Sequence, residues 1–149
     1  MTRTHGLLDK TLFQSFLNQA KSLGLKSIGF YTTGDPFAVP KFEEYVELAR
    51  KVGIEYLYAS TNGAAATPER IRRVIDAGLN SIKFSINAGN REQYRKIHGR
   101  DDWDKVMNNL QFAFKYRKKF KKKFDIFATC VLSPEVYAEE VKEVVGPWV

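Results

Sequence analysis

The chain has a single cysteine, Cys130, in 149 residues. One thiol cannot close an intramolecular disulfide. Nor can it build a structural zinc or iron–sulfur site that needs several thiolates from this chain alone. Histidine is nearly as scarce: His5 lies near the N-terminus and His98 reads as a surface-loop residue beside Gly99. No apolar run approaches the roughly 18 to 20 residues that span a bilayer, and the N-terminal residues show no signal-peptide pattern. The default expectation is therefore a cytoplasmic protein without a membrane partner. What is present argues for a folded core, with 44% hydrophobic and 13% aromatic residues. With no linker or low-complexity stretch, residues 1–149 read as one domain.

Charge is unbalanced, with a formal net charge of +7. Much of the excess sits in "KYRKKFKKKF", residues 115–124, and the run Lys115 to Lys123 could mark a nucleic-acid surface. The simpler reading is the solvated C-terminal end of a helix, where cations also suit the helix dipole. On sequence grounds nucleic acid is thus not the expected partner.

Hydrophobic periodicity predicts a helix, then strand and helix four times over. Asp9 caps the first helix, whose face is Leu12, Phe13, Phe16, Leu17, Ala20 and Leu23, and Gly24 ends it. "KSIGFYT" reads as a strand. A helix starts near Pro40 with the stripe Phe42, Tyr45, Val46, Ala49 and Val52. "EYLYAS" is the second strand, followed by a helix capped by Thr67 with Pro68 in its first turn and an apolar face of Ile71, Val74 and Ile75. "NSIKFSI" is the third strand. A loop, "NAGNREQYRKIHGR", leads to a long helix from about Asp102, then "FDIFATCVL" forms the fourth strand. Ser133 and Pro134 open a last helix, stopped by Gly146 and Pro147. Such alternation implies parallel strands with right-handed crossovers. An open doubly wound sheet fits this length. A full eight-unit barrel, at about 250 residues, does not.

In either architecture ligands bind at the carboxyl ends of the strands. There the sequence reads "TTGDP", "STNG", "SINAGN" and "TCVLSP". These turns are rich in glycine and small neutral hydrogen-bonding residues, hold no histidine, and include only one acid, Asp35. They lack an acid–base pair or triad and suit a polar cofactor that brings its own chemistry. Each residue also has an ordinary reading. Gly34 and Pro36 are turn formers, Asp35 a helix cap, Asn62-Gly63 a common turn pair, Ser85 a core hydroxyl and Cys130 a small buried hydrophobe.

Taken in order, "TTGDP", "STNG" and "IKFSIN" resemble the radical S-adenosylmethionine (SAM) family, in particular the subgroup with Gly-Gly-Glu-Pro, Thr-Asn-Gly and Ser-Ile/Leu-Asp turns. "YRKIHGRDDWDKVMNNL" resembles the same subgroup, and the likeness runs from about Leu8 to Leu132. The resemblance implies an α/β fold, a partial β/α (TIM-like) barrel of parallel strands, incomplete at both ends. It also implies SAM and a 4Fe–4S cluster as cofactors. In the family, cluster-bound SAM is cleaved by one electron to a 5′-deoxyadenosyl radical that abstracts hydrogen from substrate. By resemblance, Thr33, Gly34, Asp35 and Pro36 would hold the methionyl end of SAM. Ser85 would bond SAM, and the segment Thr129 to Val131 would flank its adenine, with Val131 in contact. Thr61 and Asn62 would reach substrate or cofactor.

The departures are Thr33 for Gly, Asp35 for Glu, Asn87 where Asp is common, and no three-cysteine motif. The chain is therefore expected to be an internal piece of such an enzyme, inactive alone, with cluster ligands supplied upstream. A small-molecule or peptide substrate and an electron-donor protein are the partners implied. The alternatives are a non-catalytic α/β binding module and a nucleic-acid-associated protein using Lys115 to Lys123.

Overall fold

The structure is a computed structural model and describes residues 6–32, 34–131 and 138–149. Four strands, β1 (Ser27–Phe30), β2 (Tyr56–Thr61), β3 (Ser81–Ser85) and β4 (Asp125–Thr129), pair in chain order as one parallel sheet. In the paired rows Gly29 faces Tyr58, Ser60 faces Lys83, and Lys83 faces Phe127. The helices are α1 (Lys10–Ser22), α2 (Phe42–Lys51), α3 (Pro68–Asp76), α4 (Arg91–His98), α5 (Trp103–Lys119) and α6 (Ala138–Val145). The expected α/β class, a parallel sheet forming part of a β/α barrel, is the one found.

The sheet is two-sided because side chains alternate along each strand. Leu57, Ala59, Ile82, Phe84 and Ile126 are buried beneath the helices with Val46, Ile71, Val74, Val106 and Leu110. The alternate positions, Tyr56, Tyr58, Ser60, Lys83, Ser85, Phe127 and Thr129, are not buried. In a barrel, that second face lines the interior.

Local signals place the helix starts. Asp9 accepts from the Leu12 amide at 2.9 Å, Thr67 caps α3 ahead of Pro68, and Asn90 accepts from the Gln93 amide at 3.0 Å. The differences from expectation are also physical. Helix α4 was expected as loop: its eight residues are almost all polar and bury only Tyr94. His98 is its last residue, not a loop residue. Its ring stacks on Tyr94 and its Nε2–H donates to the Ile86 carbonyl at 3.0 Å. Helix α2 begins at Phe42, after a 3-10 turn over Pro36–Ala38. On α1 only Phe13 and Leu17 are buried, whereas Leu12, Phe16 and Leu23 are exposed. That helix packs beside the edge strand β1, so only a narrow stripe finds partners, among them Tyr45 and Phe30. The fourth strand ends at Thr129, so Cys130 and Val131 lie beyond it. The expected start of the last helix at Ser133 and Pro134 lies outside the described residues. Among the described residues no helix is long and apolar enough to cross a membrane.

At the amino ends of the strands Arg50 joins two connections, the one from α2 to β2 and the one from α3 to β3. Its guanidinium donates to the Gly78 carbonyl at 2.6 and 2.8 Å, to those of Ile54 and Glu55 at 2.8 and 2.9 Å, and to the Asn80 side chain. Asn80 Oδ1 in turn accepts from the Leu57 amide at 2.7 Å. No other side chain offers five donors in one rigid fork. Arg50→Met is expected to lower stability by about 2–3 kcal/mol, since each stranded carbonyl costs on that order. Arg50→Lys should recover less than half. Urea denaturation measures both, and a loss below about 0.5 kcal/mol for Met would show that the clamp is not structural.

Candidate functional site

The opposite rim, at the carboxyl ends of the strands, gathers the turns singled out in the sequence. An open polar hollow of about 380 Å3 is lined by Tyr31, Thr32, Gly34, Asp35, Ser60, Thr61, Asn62 and Ser85. Residues more than fifty positions apart thus meet, because β1, β2 and β3 are adjacent and parallel. A larger apolar hollow of about 540 Å3 adjoins it along the edge of β1. It shares Tyr31, Gly34 and Asp35 with the polar hollow but is otherwise walled by apolar residues such as Leu7, Phe13, Phe16, Phe30 and Pro36, so Pro36 lies on the apolar side and not around the polar hollow. The polar hollow is the one whose donors suit a polar ligand.

Asp35 organises this rim. One carboxylate oxygen accepts from the Phe37 amide at 2.9 Å and so caps the 3-10 turn. The other accepts from the Thr61 hydroxyl at 2.7 Å and the Asn62 amide at 3.0 Å. The capping role and the site role are therefore one arrangement, with the carboxylate tying the β1 turn to the end of β2. The shorter side chain at a position where Glu is usual still finds backbone partners here. Because three donors occupy it, Asp35 offers a ligand its backbone rather than its carboxylate.

The Thr61-Asn62-Gly63 turn is fastened from several sides. The Thr61 hydroxyl also accepts from the Gly63 amide at 3.0 Å, and the residue is only 3% exposed. Asn62 Oδ1 accepts from the Ala64 amide at 2.9 Å, which leaves its amide NH2 as a donor at the rim. Gly63 takes a φ of +83°, and an added Cβ would meet Val106 Cγ1 at 2.9 Å. Asn109 of α5, buried, donates to the Gly63 carbonyl at 2.8 Å. Asn109 was missed in the sequence; its signal is a lone polar residue between Val106 and Leu110 on an apolar helix face.

Ser85 ends β3 and accepts a long 3.4 Å bond from Thr129, so its own hydroxyl proton remains available. Asn87, at φ +54°, accepts from the Val131 amide at 2.9 Å and ties the chain after β4 to the end of β3. Val131 is 73% exposed and is not among the residues around the polar hollow. Thr33 lies outside the described residues. Its neighbour Thr32 has a φ of +115°, an uncommon conformation for a β-branched residue that marks strain in the turn.

These donors match the demands of SAM: neutral hydroxyls and amides for a carboxylate, a ribose and an adenine, with open space above Gly34 for close backbone approach. They do not match a 4Fe–4S cluster. Cys130 is the one thiol of the chain, and burial pushes its pKa up, away from the thiolate form that binds iron. Among the described residues no group of three histidine, cysteine or acidic side chains could hold a metal ion.

Asp35→Asn tests the tie between the turns. The amide can keep the bond from Phe37 but presents its NH2 to the Asn62 N–H, leaving that donor unpaired. A loss of about 1–3 kcal/mol is expected in urea denaturation, with faster hydrogen exchange at the Asn62 amide. Unchanged exchange there would show that the carboxylate does not hold the turn.

Comparison with known proteins accords with this geometry. The family model of the radical SAM superfamily matches residues 7–146. A GTP 3′,8-cyclase of Chlorobaculum tepidum is 29% identical over 89 residues, covering 59% of this chain and 26% of that protein. The enzyme of the same name from Psychromonas ingrahamii is 28% identical over 116 residues, 76% of this chain and 34% of its own length. An uncharacterized protein of Methanocaldococcus jannaschii is 32% identical over 71 residues, 48% of this chain and 24% of its own. The chain thus spans a quarter to a third of these relatives. Among solved structures, anSMEcpe with bound AdoMet superposes with a TM-score of 0.63 at 20% identity, over 84% of this chain and 36% of that one. With a match over nearly its whole length, the chain belongs to the radical SAM superfamily.

Proposed function

We propose that this chain is the SAM-holding part of a radical SAM enzyme, acting as one domain over residues 1–149. The observation that carries the reading is the meeting of Gly34, Asp35, Asn62 and Ser85 around one polar hollow at the carboxyl rim of the sheet. Gly34 and Pro36 form the turn that approaches the methionyl end of SAM, with Thr33 beside them. Asp35 and Thr61 keep that turn in register with β2. The Ser85 hydroxyl and the Asn62 amide supply neutral donors to SAM or substrate. Val131 extends the reading to the adenine flank, held near β3 through Asn87.

Membership of the family implies SAM and a 4Fe–4S cluster, and the chemistry the pair supplies when bound is a 5′-deoxyadenosyl radical for hydrogen abstraction. The thiolates for that cluster come from outside these 149 residues. The substrate, a small molecule or peptide, and an electron-donor protein complete the proposal, in the cytoplasm. The non-catalytic module and the nucleic-acid reading are not favoured. In the basic run, Lys122 bonds Asp76 at 2.9 Å, Arg117 and Lys118 lie over the Phe114 ring, and Lys119 lies over Phe120. These contacts are those of a solvated helix end.

A titration of the isotopically labelled chain with SAM is expected to move the amides of Gly34, Asp35, Asn62 and Ser85. Ser85→Ala should weaken that binding about tenfold, the equivalent of losing one hydrogen bond to a charged ligand. Shifts confined to other residues would reject the site. Separately, anaerobic treatment with iron and sulfide should leave the chain colourless, and reductant should yield no 5′-deoxyadenosine from SAM. A brown, SAM-cleaving preparation would show that the cluster is held by residues of this chain after all.

A further inference from the structure

The face of the sheet that no described helix covers is not a neutral surface. Tyr58 stands at its centre, stacked against Tyr31 with ring centroids 5.7 Å apart and planes 27° from parallel. Tyr56 lies at 6.1 Å on its other side and bonds the Ser81 hydroxyl at 2.9 Å. Gly29, the partner of Tyr58 across the β1–β2 pair, makes room for this. A Cβ there would fall well inside van der Waals contact with both the Tyr31 and Tyr58 rings. The neighbouring Tyr31 hydroxyl, with burial, pushes the Tyr58 pKa up.

Lys83 rises from the middle of β3 onto the same face, between Ser60 and Phe127 in the paired rows. Its ammonium lies 5.2 Å from the Tyr58 ring centroid. Among the described residues no carboxylate pairs with it. Asp125, the acid at the start of β4 on this face, stands one row nearer the amino ends and makes no ion pair with Lys83. A half-buried lysine whose ammonium has an aromatic floor and no counter-ion suits an incoming anion. Lys83 also precedes Ser85 by two residues, so it sits about 7 Å deeper on the same face as the proposed SAM contact.

We propose that Lys83, with the Tyr31–Tyr58 pair, forms a subsite for the anionic group of an aromatic substrate, one pleat below the SAM rim. The ammonium takes a carboxylate or phosphate oxygen, and the exposed Tyr31 ring offers a stacking face to the planar part. This deepens the preceding proposal, on which it rests for the position of SAM, by naming the class of substrate that the same strand face selects.

The test is a titration of the isotopically labelled 149-residue chain with phenyl phosphate, benzoate and phenol, alongside SAM. Phenyl phosphate and benzoate are expected to shift the amides of Tyr58, Ser60 and Lys83, and their relative affinities distinguish phosphate from carboxylate. Phenol should bind more weakly than either. Lys83→Met should weaken both anions at least fivefold without changing phenol, and Lys83→Arg should restore at least half of the lost affinity. Tyr31→Ala, on an exposed position, should weaken all three ligands alike. The proposal is overturned if anions bind Lys83→Met as tightly as the parent, or if their shifts fall on Lys115 to Lys123 instead. SAM shifts at Gly34 and Ser85 with no anion effect at Lys83 would remove this subsite alone. Anion binding without SAM shifts would remove the SAM assignment alone.

Discussion

The bond on which the candidate site depends is the carboxylate of Asp35 reaching across from the β1 turn to the end of β2. A parallel sheet holds its strands through backbone bonds, but the loops that leave its carboxyl rim have no such ladder. Something must keep the turn after β1 at a set height above the turn after β2. Asp35 does so with three accepted bonds, to Phe37, Thr61 and Asn62, inside a setting where an unmet N–H would be costly. Asn109 performs a similar task from the helix side, holding the Gly63 carbonyl from α5. The rim is therefore positioned before any ligand arrives, which reduces the ordering that binding would require.

The two ends of the sheet are built to different purposes. At the amino end, the side chains of Arg50 and Asn80 satisfy backbone groups of two connections and of β2. At the carboxyl end, hydroxyls and amides are held with donors to spare. This division, with stability at one rim and the candidate site at the other, follows from helices returning the chain to the amino side of each strand. The two faces differ as well. One is aliphatic and closed by helices. The other carries tyrosines and a lysine that would be poor partners for a helix, and this is the face a barrel turns inward.

Several features were legible in the sequence because they depend on neighbours along the chain. Thr67-Pro68 and Asp9 announce helix starts, the stripe from Phe42 to Ala49 faces the core, and "EYLYAS" reads as the strand it forms. Helix α4 escaped because eight mostly polar residues carry almost no periodic signal. The exposed flank of α1 escaped because periodicity shows which residues could be buried but not whether a neighbour is there to bury them. Asn109 gave only a faint sign, one amide on an apolar helix face.

For this protein the sequence by itself determined the strand–helix alternation, the parallel class, the turns that resemble the radical SAM pattern, and the shortage of thiols. All of these are properties of residue type and spacing. Only the tertiary structure decided that Asp35 is spent on Thr61 and Asn62 rather than offered to a ligand, and that His98 bonds the chain after β3. It also placed Lys83 over Tyr58 with no acid beside it. These contacts join residues 12 to 27 positions apart, and which of them meet is set by strand order and register, to which no local pattern has access.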